Sequence, residues 1–478
     1  MTANTIKQKT VRGILWNSIE KFLVKGSSFI ISIILARILS PSDYGLIGML
    51  AVFISLSNVF IESGLSKALI QKQNCTDTDY STAFYTNIII SIVIYVILYF
   101  AAPYVAKFYH EPQLCAILRV LSVNFVLGSL NVVQRTKLMS RMDFRSLAFV
   151  NFIGTVSGGI IGIIMAYSGC GVWSLVGQSI AVTFATIIFF PIYSKWRPQM
   201  QFSRQSFNHL FKFGSKLLIS GTVATVVNNI STIAIGNIYR TSQLGFYTRA
   251  SQFSEMVAFT VNDVMGTVTF PALSELQNNT DRMIAVYKKS LYFTAFIIFP
   301  VMTMMALLAK PLVLLLLTEK WLPCVALMQL LCIARMFTPL SAINMNLLNA
   351  IGRSDLFMKV DLSKIPIILV SLAITIPISV KAICVGNLVT TIICFFINTY
   401  YPGKMFGYGA LEQIKDYWKL FVAIILMSFV IYVVCMLIIN IWIQIFVGVI
   451  VGCGVYFISC LFLKAVTIKE IKSVFNVK

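Results

Sequence analysis

The sequence predicts an all-α integral membrane protein with about 14 transmembrane helices. Of its 478 residues, 58% are hydrophobic and only 12% are charged, which is about half the charged share of a soluble globular chain. At about 20 apolar residues per span, this composition is sufficient for ~14 membrane-crossing helices. No polar stretch exceeds about 30 residues. A soluble enzyme is therefore excluded, and any function belongs to the membrane helices themselves.

Apolar windows bounded by charged residues, glycine, proline and turn residues predict the positions of the helices. The first six are expected at about 14–38, 45–62, 83–106, 113–134, 147–168 and 171–193. After a basic linker, six more are expected at about 212–239, 246–271, 286–309, 324–349, 357–379 and 381–401. Two further helices follow at about 418–439 and 441–463. We therefore expect an N-terminal lobe (1–200), a C-terminal lobe (201–408) and two additional helices with a tail (409–478).

The net charge of +21, from 38 Lys+Arg and 17 Asp+Glu, predicts the topology. Nucleic-acid binding would need a basic face on a soluble module, and the sequence has none. With both termini in the cytoplasm, about 29 of the 38 basic residues lie in cytoplasmic segments. The opposite orientation is strongly disfavoured by the positive-inside rule.

Two short matches indicate an internal repeat. A shift of 200 residues lays LSPSDYGL over YRTSQLGF, so that Ser42 and Gly45 fall on Ser242 and Gly245. A shift of 212 lays SRMDF over GRSDL, in the loop after the fourth helix of each group. Six helices per unit give two lobes of parallel topology, with a substrate path expected at the interface between them.

A polar face on helix 1 supplies candidate substrate contacts. Lys21 and Lys25 recur with other polar residues at helical spacing. A lysine deep in the membrane costs roughly 2.5–3.5 kcal/mol, so these two either face a water-filled cavity or extend to the headgroups. The shift of 200 finds another small or polar face on helix 7, which includes Asn228. We predict that Lys21, Lys25 and Asn228 line a cavity that binds an anionic group.

Four other charged residues within predicted spans are candidates for a role in transport. Glu62, Glu255 and Asp263 are candidates for a coupled proton or cation. The alternative is that they form ion pairs that neutralise the bundle. Arg335, on the fourth helix of the second group, is either a second contact for the anion or an anchor at the membrane interface.

Catalytic and cofactor chemistry is not expected. The chain has no phosphate-binding loop for ATP hydrolysis, and its two histidines do not support a catalytic triad. The triplet DTD at 77–79 has the form of a metal-binding motif but has no surrounding α/β domain. We therefore assign no catalytic residue, no metal site and no cofactor.

Several motifs resemble those of a known family: VRGILWNSIEKF, LARILSPSDYGLIGM, ESGLSKALIQK, SRMDFRSLAF, GCGVWSLVGQ and FPALSEL. They are similar to the bacterial polysaccharide-transporter family, which comprises O-unit and exopolysaccharide flippases within the multidrug/oligosaccharidyl-lipid/polysaccharide exporter superfamily. The resemblance covers about 1–400. It implies a secondary transporter of the bacterial inner membrane, not an enzyme, whose V-shaped cavity opens alternately to either side.

The implied cargo is an undecaprenyl-diphosphate-linked oligosaccharide, moved from the inner to the outer leaflet with a proton or sodium ion as the coupling ion. The polysaccharide polymerase machinery would be a partner. Two other classes remain open. A drug/cation antiporter of the same superfamily would favour a cavity rich in carboxylates without the two lysines. A membrane polymerase or glycosyltransferase would need a large external loop or soluble domain, which the sequence does not offer.

Overall fold

The protein is described by a computed structural model that covers residues 23–62, 65–72 and 75–465. Within these residues the chain is helical, with no β-strand. Eleven of the described helical segments are long and apolar enough to cross a membrane, one of them running from Cys324 to Ala350. The structure therefore confirms an all-α, multi-pass membrane protein, while the count of 14 spans stays a prediction.

The chain divides into two compact units, Met1–Gly245 and Phe246–Lys478. The described helices of the first unit are α1 (23–38), α2 (Pro41–Glu62), α3 (Leu65–Gln71), α4 (Asp77–Phe108), α5 (Gln113–Ser140), α6 (Phe144–Tyr167), α7 (Trp173–Ser194) and α8 (Arg204–Ile238). The next helix, α9 (Thr241–Glu275), begins just before the boundary and continues into the second unit. The boundary thus falls at the start of the eighth predicted helix.

The remaining helices of the second unit are α10 (Thr280–Leu307), α11 (Ala309–Leu316), α12 (Cys324–Arg335), α13 (Thr338–Ala350), α14 (Ser354–Thr375), α15 (Val380–Phe406), α16 (Ala410–Leu437) and α17 (Ile441–Phe462). The sequence did not predict the short helices α3 and α11. It also predicted one helix where α12 and α13 are separated. Pro339 explains this break, because it has no N–H to donate to the carbonyl of Arg335 four residues earlier.

Glycines allow the helices α6 and α7 to pack closely. Three of them recur one turn apart on α6 and face α7: Gly154, Gly158 and Gly162. A Cβ atom on Gly158 would lie 2.7 Å from the carbonyl oxygen of Gln178, which no real side chain tolerates. In a membrane, where the hydrophobic effect does not drive helix association, such close backbone approach supplies the packing energy.

A buried hydrogen-bonded cluster joins α16 to the rest of the second unit. The amide of Gln413 donates to Asn344 Oδ1 at 2.9 Å and to the hydroxyl of Tyr287 at 3.2 Å. Tyr287 in turn donates to Asn344. Next to them, in the turn before α16, Tyr408 donates to Asp416 at 2.6 Å. Burial and this hydrogen bond raise the pKa of Tyr408 above its ordinary value. The cluster is internally satisfied, which fixes α16 against α10 and α13.

Candidate functional site

The DTD triplet lies at the start of α4 and serves helix capping and ion pairing. Thr76 and Asp79 form a reciprocal capping box. Asp79 is buried and accepts from the Lys72 ammonium at 2.7 Å. Asp77, about half exposed, pairs with Lys137 of α5 at 2.9 Å. Both carboxylates are thus engaged with lysines of the first unit.

The candidate anion contacts of the first unit lie on α1 and α8. Lys25 is exposed on α1, and Asn228 is exposed on α8. The adjacent Asn229 donates to the Thr225 carbonyl at 2.9 Å and so is used within its own helix. Asn228 makes no such bond to any residue that the structure describes. Lys21 lies outside the described residues, so its proposed role stays a prediction.

The helix α8 packs antiparallel against α2. A Cβ atom on Gly221 would lie 2.9 Å from Val59, near the end of α2. A Cβ atom on Gly236 would lie 3.1 Å from Met49, near its start. Small residues of α8 therefore contact α2 over several turns.

The starts of α2 and α9 touch through a reciprocal contact within the first unit. A Cβ atom on Gly45 would lie 1.9 Å from the carbonyl oxygen of Thr241, and one on Gly245 would lie 1.9 Å from that of Pro41. Only glycine, which has no Cβ atom, fits at these two positions. Each glycine and each carbonyl recurs after 200 residues, which is the offset of the predicted repeat.

In the second unit, Arg335 and Glu255 form an ion pair. Arg335 Nη2 lies 2.6 Å from Glu255 Oε1, and the hydroxyl of Ser251 donates to the same oxygen at 2.9 Å. The two charged side chains are 23% and 33% exposed, so the pair is partly accessible. The Nε atom of Arg335 is buried and has no hydrogen-bond partner among the described residues. The sequence assigned these residues separate roles, whereas the structure brings them together.

The other two carboxylate candidates are less well defined. Asp263 is half-buried on α9, eight residues and therefore about two turns beyond Glu255. Glu62 ends α2, and its side chain is outside the described structure. Their roles in ion coupling stay predictions.

One buried charged residue escaped the sequence analysis. Arg249 on α9 is only 1% exposed. Its guanidinium donates to Gln252 at 2.7 Å and lies 5.7 Å from the centre of the Trp321 ring. Its position could have been noticed in the sequence, because Arg249 is the one arginine in the predicted span 246–271. The contact joins α9 to the turn that contains Trp321, which indicates a structural role.

Comparison with solved structures defines the class of fold. The chain superposes on an inward closed conformation of the lipid II flippase MurJ with a TM-score of 0.74, at 17% identity over 94% of this chain and 99% of that one. It also superposes on an inward-facing multidrug resistance MATE family transporter of the MOP superfamily, with a TM-score of 0.62 and 14% identity over 83% and 100% of the two chains. The fold is therefore the one shared by these membrane transporters.

Comparison of sequences shows the family. Residues 34–326 match the family described as polysaccharide biosynthesis protein, and the chain belongs to that family. It is 22% identical to the lipopolysaccharide biosynthesis protein WzxC of Escherichia coli K12, over 75% of this chain and 74% of WzxC. It is also 22% identical to the teichuronic acid biosynthesis protein TuaB of Bacillus subtilis (74% and 73%) and 25% identical to the succinoglycan biosynthesis transport protein ExoT of Rhizobium meliloti (66% and 64%). The family resemblance predicted from the motifs is confirmed.

Proposed function

We propose that the protein is a flippase that moves an undecaprenyl-diphosphate-linked oligosaccharide from the cytoplasmic to the outer leaflet of the bacterial inner membrane. The proposal rests on one combined observation: a member of a polysaccharide biosynthesis family has the fold of a lipid flippase over 94% of its length. The relatives are named for three different polymers. They therefore support a carrier of lipid-linked saccharide without specifying its sugars.

The diphosphate of the cargo is the group that the polar residues would bind. Lys25, Asn228 and Lys21 supply ammonium and amide donors, which attract phosphate oxygens strongly where water is partly excluded. The exposure of Lys25 and Asn228 supports this role, because a substrate must reach them. Arg335 would be a further anion contact once it is released from Glu255.

The Glu255–Arg335 pair offers a route for ion coupling. A proton or a sodium ion on Glu255 would remove the negative charge that holds Arg335 at 2.6 Å. The guanidinium would then be free to bind a phosphate oxygen, and departure of the ion would restore the pair. Binding of the ion and of the anionic cargo would thereby favour each other. Glu62 and Asp263 remain further candidates for the same ion.

Alternating access would follow from the predicted repeat of two six-helix lobes, within a total of 14 spans and with both termini cytoplasmic. The reciprocal glycine contact supports the repeat.

A drug/cation antiporter is the second candidate, because the MATE transporter shares the fold. The two functions differ in the charge of the cargo. A cationic drug would be repelled by Lys25, whereas a diphosphate would be attracted. The Lys25 side chain therefore favours the flippase.

Reconstitution can separate these functions. Proteoliposomes would carry a fluorescent undecaprenyl-diphosphate-linked oligosaccharide, and a membrane-impermeant reductant would bleach only the outer leaflet. An active flippase should make nearly all of the label accessible, whereas protein-free vesicles should retain the inner-leaflet fraction. Retention of that fraction with folded, inserted protein, together with uptake or efflux of a cationic dye, would assign the antiporter function instead.

A further inference from the structure

The helices α14 and α15 form an open groove, separate from the polar residues described above. Its volume is about 480 Å³, within the roughly 300–1,000 Å³ range of ligand-binding pockets. Most of its wall is apolar or aromatic: Val360, Ile393, Phe396, Ile397, Tyr400 and Tyr401. Two polar residues, Lys359 and Ser363, complete the lining. The groove therefore has one polar end and an apolar wall, the form expected for an amphiphile.

The charge of the groove is uncompensated. Nearby cations are paired: Lys364 lies 2.7 Å from Asp361, and Arg353 lies 2.8 Å from Asp355. Lys359, by contrast, is exposed and forms no ion pair with any residue in the described parts of the chain. No carboxylate lines the groove. The site thus presents a single positive charge with no internal counterion.

The position of the groove along the helices corresponds to the membrane interface. Lys359 lies five residues after the start of α14, and Tyr400 six residues before the end of α15, each about 8–9 Å from a helix end. Tyrosine and lysine near the ends of membrane helices are typical of the headgroup level. Ile393, two turns before Tyr400, lies deeper, where an acyl chain would run.

We propose that this groove binds one anionic phospholipid of the bilayer. The phosphate would contact Lys359, and an acyl chain would lie along Ile393 and Phe396. The Ser363 hydroxyl donates to the Val360 carbonyl at 2.8 Å, which leaves the Lys359 ammonium for a single phosphodiester, whereas a diphosphate with an attached oligosaccharide would need more charge than one lysine offers. A zwitterionic headgroup would find no carboxylate for its ammonium. Basic pockets between membrane helices are recognised sites for anionic lipids. This proposal does not depend on the transport function.

Native mass spectrometry of the full chain in detergent tests the site. Phosphatidylglycerol and phosphatidylcholine would be titrated separately, and the first bound lipid measured. We expect phosphatidylglycerol to bind more tightly, and Lys359→Gln to weaken it about five-fold, the effect of one lysine at an anionic membrane surface. Lys359→Arg should retain the preference. The matched control is Lys381→Gln, because Lys381 is exposed near the opposite end of α15 and outside the groove.

Three results would overturn the proposal. The first is equal binding of the two lipids by the wild-type chain. The second is an equal loss of binding in the Lys359→Gln and Lys381→Gln variants, which would indicate a general effect of charge. The third is displacement of bound phosphatidylglycerol by equimolar undecaprenyl diphosphate, which would assign the groove to the cargo. A Phe396→Ala variant checks the apolar wall independently and should weaken binding of phosphatidylglycerol while keeping its preference over phosphatidylcholine.

Discussion

Three arginines in the membrane helices contact either a carboxylate or an aromatic ring. Arg335 pairs with Glu255, Arg249 lies beside Trp321, and the Arg119 guanidinium lies 4.3 Å from the centre of the Tyr99 ring. A charge at the centre of a membrane helix costs roughly 2.5–3.5 kcal/mol unless such contacts offset it. Removing one partner of a close pair should therefore be worse than removing both.

The Glu255–Arg335 pair allows this expectation to be tested. We expect Glu255→Gln and Arg335→Gln each to lower the free energy of unfolding by about 1–2 kcal/mol, because each leaves one partly buried charged group without its partner. The double variant should recover part of that loss. Thermal unfolding in detergent measures the stability, and the flipping assay measures transport. If the double variant regains full transport with an unchanged pH profile, the pair is structural and has no part in ion coupling.

Lys25 is the direct test of anion binding. We expect Lys25→Ala to reduce transport of the lipid-linked oligosaccharide strongly while the protein stays at its normal level in the membrane, because an ammonium facing a diphosphate is hard to replace. Surface polysaccharide and protein abundance would be measured together. Lys25→Arg, which keeps the charge, should retain part of the activity. Normal polysaccharide from the alanine variant would mean that Lys25 only extends to the lipid headgroups.

The sequence predicted which residues of the site are polar but not which of them pair. Lys25 was found from helical spacing and Asn228 from the shift of 200 residues, and the structure shows both exposed. Glu255 and Arg335 are 80 residues apart, and their contact depends on how α9 packs against α12. The helix break at Pro339 was missed for a different reason. A hydropathy window of about 19 residues is longer than the break and therefore does not detect it.

The start of α4 shows how one helix end holds several segments of the first unit. Besides its two ion pairs, it binds the linker that follows α7. The backbone N–H of Gln199 donates to Ser81, and that of Ser203 to Thr82, both at 3.1 Å. The first turns of α4 thus fix the entry to α8, which the sequence treated only as a basic linker.

Alanine substitutions of Asp79 and Asp77 can be compared directly, because both carboxylates lie at this helix end and each pairs with a lysine. Asp79→Ala should lower the free energy of unfolding by about 2–3 kcal/mol, since it removes a capping box and leaves Lys72 without its buried partner. Asp77→Ala should change it by about 0–1 kcal/mol, because Asp77 is about half exposed and its pair is screened. Thermal unfolding of both variants gives the comparison. Equal effects, or a requirement for an added divalent metal ion, would contradict the assignment of the triplet to capping and ion pairing.

The positions of the long helices were predictable because the membrane demands continuous apolar stretches of fixed length. Every predicted segment that falls in the described chain contains a helix, although most of these helices extend several residues beyond the apolar window. The short helices α3 and α11 were missed because seven or eight residues are too few to stand out in such a window. Asn440, the only turn signal between the last two predicted helices, does cap α17, accepting from the N–H groups of Trp442 and Ile443.

At the scale of the whole molecule, the reciprocal contact of Gly45 and Gly245 is the feature through which the proposed alternating access can be tested. It joins the starts of α2 and α9, which the positive-inside rule predicts to lie at the external side of the membrane. If the repeat forms two lobes that rock, this contact would have to open and close in every cycle. Glycine is needed at both positions, because a Cβ would approach a carbonyl oxygen to 1.9 Å.

Gly45→Ala tests the contact without a large change in chemistry. We expect it to separate the two helix starts and to reduce transport, since the added methyl group cannot coexist with the Thr241 carbonyl. Gly128→Ala is the matched control, because nothing lies within 4 Å of a Cβ at that position on α5. Accessibility of a cysteine at Ser42 to a membrane-impermeant maleimide would report the separation. Equal labelling and transport in both variants would show that the contact is dispensable.

A reversible crosslink tests whether opening of this contact is part of the cycle. Ser42 and Ser242 follow the residues whose carbonyls lie against the two glycines, and both side chains are at least partly accessible. Cysteines at both positions, in a background lacking the ten native cysteines, should form a disulfide while the external ends are together. The disulfide should stop transport, because the headgroup could no longer leave outward, and reduction should restore transport.

Each single cysteine variant, treated with the same oxidant, controls for oxidative damage to the protein. Full turnover with the disulfide demonstrably formed would contradict alternating access through this end of the protein, and with it the mechanism proposed for the flippase.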